Sequence, residues 1–104
     1  MDRVLSLLGI AQKAGEVVSG GFLCEDAIKS RKAVLVILAE DAQKNTVHTI
    51  TNKCTYYKIP FCFYGTKEAL GHAIGKGERS CAAVTDQGLA DGITKLLGSG
   101  KKEE

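Results

Sequence analysis

Six apolar residues, Val34 to Ala39, run without a polar break between Lys32-Ala33 and the carboxylates of Glu40 and Asp41. The run is rich in β-branched side chains and too short for an ordinary helix, so it reads as a strand. An alternating strand can face water on one side. A continuously apolar one needs cover on both faces, which is the habit of a central strand in an α/β sheet. Ligands of open α/β sheets are usually met where such a strand gives way to a helix, here at Glu40-Asp41-Ala42.

The flanking segments supply that cover. Residues 2 to 14 carry Val4, Leu7, Leu8 and Ala11 at helical spacing, and Gly15 stops the helix. Val17-Val18 reads as a short strand, and Ser19-Gly20-Gly21 as a tight turn into a helix from about Phe22 to Ser30. Glu25 and Asp26 are expected to complement the positive start of that helix, and Arg31-Lys32 its end. After the central strand, Asn45 or Asp41 is expected to cap a third helix, whose Val47, Ile50, Cys54 and Tyr57 share one face. Pro60 ends it, and Phe61 to Tyr64 form a third strand. Thr66 caps a fourth helix with the stripe Ala69, Leu70, Ala73 and Ile74. A charged loop, Gly75 to Ser80, leads to a fourth strand, Cys81 to Val84. Thr85-Asp86 caps a last helix aligned on Leu89, Ile93, Leu96 and Leu97. The alternation predicts a single domain over 1–97, an α/β three-layer α-β-α sandwich with a parallel or mixed sheet and helices on both faces. The Gly-Ser-Lys-Glu segment 98–104 reads as a disordered tail.

The 104 residues suffice for one core. The balance of 14 basic against 12 acidic residues leaves a charge of +2, which permits nucleic-acid binding without demanding it. No apolar run approaches a membrane span and no leader pattern is evident, so the expectation is a cytoplasmic protein without membrane contact. Cys24, Cys54, Cys62 and Cys81 match no zinc spacing and read as reduced core residues, with no metal or cofactor expected. His48 and His72 fall on helices without an evident partner. No nucleophile elbow, phosphate loop or dinucleotide fingerprint occurs, so no catalytic residue is assigned and an enzyme is not expected. A binding module needs less. Two strand-to-helix junctions offer backbone amides, and Lys13, Lys29, Arg31, Lys32, Lys44, Lys76 and Arg79 are candidates to touch phosphates. On these grounds alone the chain is a small α/β binding domain.

An ordered set of short motifs goes further. Val18-Ser19-Gly20, Ala27-Ile28-Lys29, Ala39-Glu40-Asp41-Ala42, Lys53-Cys54 with Tyr56-Tyr57 and Ile59-Pro60, Gly65-Thr66-Lys67-Glu68, Ile74-Gly75-Lys76 and Val84-Thr85-Asp86-Gln87-Gly88 together resemble the kink-turn-binding ribosomal protein superfamily. Within it the chain is most similar to the small bacterial YlxQ-type ribosome-associated proteins, from about Leu8 to Leu97. The resemblance implies a four-stranded mixed sheet and non-catalytic binding of structured RNA, with ribosomal RNA and the ribosome as expected partners and no DNA. It also implies three contact segments: Gly20, Gly21 and Phe22 onward to Asp26; Glu40 and Asp41 to Lys44; and Lys76 through Arg79 to Ser80. Family members that bind kink-turns carry Gly-x-Asn-Glu with a Lys one turn later. Here Gly20 keeps the glycine, but Phe22, Leu23 and Asp26 stand in place of the Asn, Glu and Lys. Phe22 has two readings: a stacking platform for a base, or, the favoured one, a staple at the helix start. A protein-interaction module on the same fold, with a protein partner in place of RNA, is the alternative function.

Overall fold

The computed structural model describes residues 2–101. Its elements alternate as α1 (Arg3–Lys13), β1 (Val17–Ser19), α2 (Gly21–Lys29), β2 (Leu35–Leu38), α3 (Lys44–Tyr57), β3 (Phe61–Phe63), α4 (Lys67–Ala73), β4 (Cys81–Val84) and α5 (Gln87–Lys101). The four strands form one mixed sheet in the order β1-β4-β2-β3. β4 runs antiparallel to both its neighbours, and β3 runs parallel to β2.

The apolar run is central, as its composition requires. Every residue of β2 is buried, and successive side chains serve opposite faces. Leu35, Ile37 and Ala39 pack with Val84 of β4 and with α1, α4 and α5, through Leu8, Leu70 and Ile93. Val36 and Leu38 pack with Cys81, Ala83, α2 and α3, through Cys24, Ile28, Ile50 and Cys54. The result is the three-layer sandwich, with three helices on one face and two on the other. Cys24, Cys54 and Cys81 are buried free thiols, and Cys62 is half-buried. Burial and the Cys81 contact push the Cys54 thiol up to about 11, burial being the larger cause. The hydrogen bond with Cys81, and then burial, push the Cys24 thiol well above its ordinary value.

Several local expectations are corrected. The second helix starts at Gly21, with Gly20 as its N-cap at φ +89°, so Glu25 and Asp26 fall outside the first turn and do not serve its dipole. Its C-terminus closes as a Schellman turn: Lys32 N–H donates to Ala27 and Arg31 N–H to Ile28, with Arg31 at φ +62°. Arg31 then donates to the Tyr57 carbonyl at 3.2 Å and lies 5.5 Å from the centre of its ring. The third helix takes neither Asn45 nor Asp41 as its cap. Gln43 occupies that position without a side-chain bond, because Asp41 is drawn across to accept from Lys67 N–H at the start of α4, at 2.8 Å. Helix α5 runs through Gly98 to Lys101, although 98–104 reads as disordered tail. Its packed turns nucleate the helix, and adding residues to a formed helix is far easier than starting one. Residues 102–104 lie outside the described residues.

Candidate functional site

The register gathers four chain segments at one end of the sheet. Ser19 pairs with Ala82, Leu38 with Cys81 and with Phe63, so β1, β2 and β3 finish where β4 begins. The segments that follow or precede them are bonded into a rim. Gly20 N–H donates to the Cys81 carbonyl at 3.0 Å, Ala39 N–H to Ser80 at 2.8 Å, and Glu40 N–H to Gly65 at 2.7 Å. The loop 75–80 runs back along α4, with Lys76 N–H bonded to Gly71 and Arg79 N–H to Lys67. This path requires Gly71 to be a glycine: a Cβ there would lie 1.9 Å from the Gly77 carbonyl oxygen.

The rim brings Gly20, Gly21, Phe22, Glu40, Asp41, Lys44, Arg79 and Ser80 to one end of the molecule, with Lys76 one turn of α4 behind them. Lys13, Lys29, Arg31 and Lys32 sit at the opposite end, where α1 and α2 terminate and β2 begins. Lys44 and Lys76 are exposed. Arg79 is tied down: its Nε donates to Ser19 Oγ at 3.1 Å and its terminal nitrogen to the Glu78 carbonyl at 2.9 Å. It braces the 75–80 loop against the start of α2. Asp41 is likewise occupied by the α4 amide. Phe22 is 82% exposed, so it is no staple; Leu23 beside it is 49% exposed.

Both helices that start at the rim on the α2–α3 face lack a side-chain cap. Their first-turn amides cannot bond within the helix, so the local field there is positive. Two depressions adjoin these starts. One, of about 160 Å³, lies between α2 and α3 and is lined by Gly21, Glu25, Asn45, Thr46, Thr49 and Ile50. The other, of about 450 Å³, lies along the first turns of α3 from Ala42 to Thr51. Sequence reasoning took Asn45 as a candidate cap and did not single out Thr46 or Thr49. The available signal was their position beside Ile50, at the border of the apolar stripe.

At the other face of the rim, Asp2 both caps α1, accepting from Leu5 N–H at 2.8 Å, and accepts from the Tyr64 hydroxyl at 2.8 Å. Partial burial, the Asp2 hydrogen bond and the charges of Asp2 and Glu40 hold the Tyr64 hydroxyl above its ordinary value. Among the described residues no group of three or more His, Cys, Asp or Glu is placed to hold a metal ion. No helix among them is long and apolar enough to cross a membrane.

Comparison with known proteins bears on this geometry. The model of the ribosomal protein L7Ae/L30e/S12e/Gadd45 family matches residues 2–93. The chain is 46% identical over 91 residues to the RNA-binding protein YlxQ of Bacillus subtilis, spanning 88% of this chain and 91% of that protein. It is 33% identical over 97 residues to an RNA-binding protein YlxQ of Enterococcus faecium, covering 92% of each. Among solved structures, a Bacillus halodurans C protein of unknown function superposes with a TM-score of 0.89 at 35% identity, over 93% of this chain and 98% of that one. The Giardia lamblia 15.5kD RNA binding protein shares the fold, with a TM-score of 0.79 at 24% identity over 91% and 82% of the two chains.

Proposed function

The chain belongs to the ribosomal protein L7Ae/L30e/S12e/Gadd45 family, and from that premise we propose that it is a non-catalytic RNA-binding protein of the cytoplasm. Its target in this reading is structured, kink-turn-like ribosomal RNA, bound in association with the ribosome. The observation that carries the reading is its likeness, over nearly its whole length, to two proteins named as RNA-binding. The rim supports it physically. Three loops meet there, two helices begin without a side-chain cap, and Lys44 and Lys76 are exposed. Helix starts of this kind favour phosphate oxygens, and exposed lysines add counterion-release affinity. With Phe22 and Leu23 in place of the family's base-reading Asn and Glu, and Asp26 in place of its phosphate-facing Lys, discrimination in this reading rests on other groups of the rim.

The test is binding of a kink-turn RNA and of an unrelated duplex at low and moderate salt, with Lys44→Ala and Lys76→Ala variants. Arg79 is a poor probe because its loss also releases the 75–80 loop. The expected result is preference for the kink-turn, with the salt slope reduced by about 1 for each lysine that contacts a phosphate. Equal binding to both RNAs would remove the kink-turn from the reading. Binding to neither would overturn it and leave exposed Phe22 and Leu23 as the contact for a protein partner.

A further inference from the structure

Strand β3 is an edge of the sheet: it bonds to β2 on one side, and no strand among the described residues lies on its other side. Val36 N–H donates to the Pro60 carbonyl and Tyr64 N–H to the Leu38 carbonyl, so Pro60, Cys62 and Tyr64 turn their backbone groups towards β2. Backbone groups alternate in direction along a strand, so the N–H and C=O of Phe61 and Phe63 point outwards. The two side chains stand beside Val36 and Leu38 on the α3 face of the sheet, 38% and 41% exposed, with ring centroids 6.2 Å apart in an edge-to-face pair. Edge strands are ordinarily blunted by a charge, a proline or a covering segment. Phe61-Cys62-Phe63 carries no charge, and the N–H that Pro60 lacks belongs on the β2 side.

We propose that β3 pairs with β3 of a second copy of this chain, antiparallel and about a two-fold axis at Cys62, joining two four-stranded sheets into one. The edge is complementary to itself. With Cys62 facing its counterpart, Phe61 of each copy lies opposite Phe63 of the other and exchanges both backbone hydrogen bonds with it, which uses every outward group of the strand. The same register gathers the phenylalanines of both copies on one face as cross-strand aromatic pairs. Charge agrees with this pairing. Ahead of β3 stand Arg31, held against Tyr57, and Lys58, both exposed. Beyond it Glu40 is bonded to Gly65 and Asp41 to Lys67 N–H, and Glu68 follows, so three carboxylates accompany the single cation of Lys67. Antiparallel pairing sets the positive end of each strand beside the negative end of the other. The contact is small, so the dimer is reversible, with half-association on the order of 100 µM. Nothing in it requires RNA.

The experiment is sedimentation equilibrium of the full chain, free of RNA, over a range from about 5 to about 500 µM. The weight-average mass is expected to rise from 11.1 kDa towards twice that value and no further, because a two-fold contact closes on itself. Amide exchange followed by NMR over the same range is expected to slow at Phe61 and Phe63 and to stay unchanged at Cys62, whose N–H already faces β2. Phe63→Asp places a carboxylate among the aromatic rings and is expected to weaken association about a hundredfold, while Phe63→Tyr keeps it. Thermal melts of the dilute variants that match wild type show an intact fold, and the exchange measurement on the wild-type chain stands without them. A mass of 11.1 kDa throughout overturns the proposal and leaves the edge to a strand of another protein. So does a dimer whose Phe61 and Phe63 amides exchange as they do in the dilute chain. A dimer undiminished by Phe63→Asp, or a mass that climbs past two copies, overturns it as well.

Discussion

The helices on the two faces of the sheet begin differently. On one face each of the three starts on a side-chain cap: Asp2 bonds Leu5 N–H of α1, Thr66 bonds Ala69 N–H of α4, and Asp86 bonds Leu89 N–H of α5. On the other face α2 starts on Gly20 and α3 on Gln43, and neither receives a side-chain cap. A missing cap costs about 1 kcal/mol of stability at Gln43, and only a few tenths (about 0.3 kcal/mol) at Gly20, because glycine is itself tolerated at an N-cap. The uncapped pair instead ends firmly, with left-handed residues Arg31 and Lys58 closing their C-termini away from the rim. On the first face each helix start thus has a side-chain acceptor from the chain itself. On the second the two helix starts at the rim have none.

This contrast can be strained from either side. The largest expected effect is on the capped face, where α4 and the 75–80 loop are in backbone contact. Gly71→Ala would drive a methyl into the Gly77 carbonyl and is expected to destabilise the protein by about 3 kcal/mol, read as a lowered denaturant midpoint. Next is pH, acting on the uncapped face, which holds the buried thiols. The Cys54 thiol is raised from 9.0 to about 11, so the folded state keeps a proton that the unfolded chain loses. Its contribution is intact below pH 9 and is lost as pH climbs to about 11, a fall of about 2 kcal/mol that Cys54→Ala removes from the pH–stability profile.

Asp2→Ala comes third. It deletes a cap and the Tyr64 bond together, and about 1.5 kcal/mol of lost stability is expected, with Tyr64→Phe recovering only the second part of that loss. Smaller still is a change that converts the open face towards the closed one. Gln43→Asp installs a cap on α3, is expected to add about 1 kcal/mol to stability, and weakens RNA binding by placing an anion at the rim. A variant that gains stability without losing affinity would break the link between missing caps and function. The smallest effect is at the far end. Lys58→Gly relieves a left-handed residue at φ +61° and is expected to raise stability by about 0.5 kcal/mol without changing RNA affinity.

Local signals in the sequence were faithful to the elements they describe. Thr66 and Asp86 cap the helices that follow them, because a cap bond spans three residues. The helix stripes likewise marked the buried sides of α1, α3, α4 and α5. The errors cluster where a side chain found a distant partner. Asp41 reads as a cap for the helix next to it and serves one 26 residues away. Arg31 reads as a dipole-compensating cation and takes a left-handed conformation under Tyr57. Phe22 reads as a staple, but its neighbours on the rim leave it in solvent.

The sequence by itself determined the order of elements, the central place of β2 and the family likeness. Each is written in the spacing of apolar residues and short motifs, and an unbroken apolar strand has few places to go. Only the tertiary structure decided which candidates stand together. Strand register carries Gly20, Lys44 and Arg79 to one end of the sheet and Lys13, Lys29, Arg31 and Lys32 to the other. It also sets α2 beside α3, so that Glu25 and Asn45 share a cleft. Those pairings are non-local, fixed by how two faces of one sheet are covered, and no periodicity along the chain encodes them.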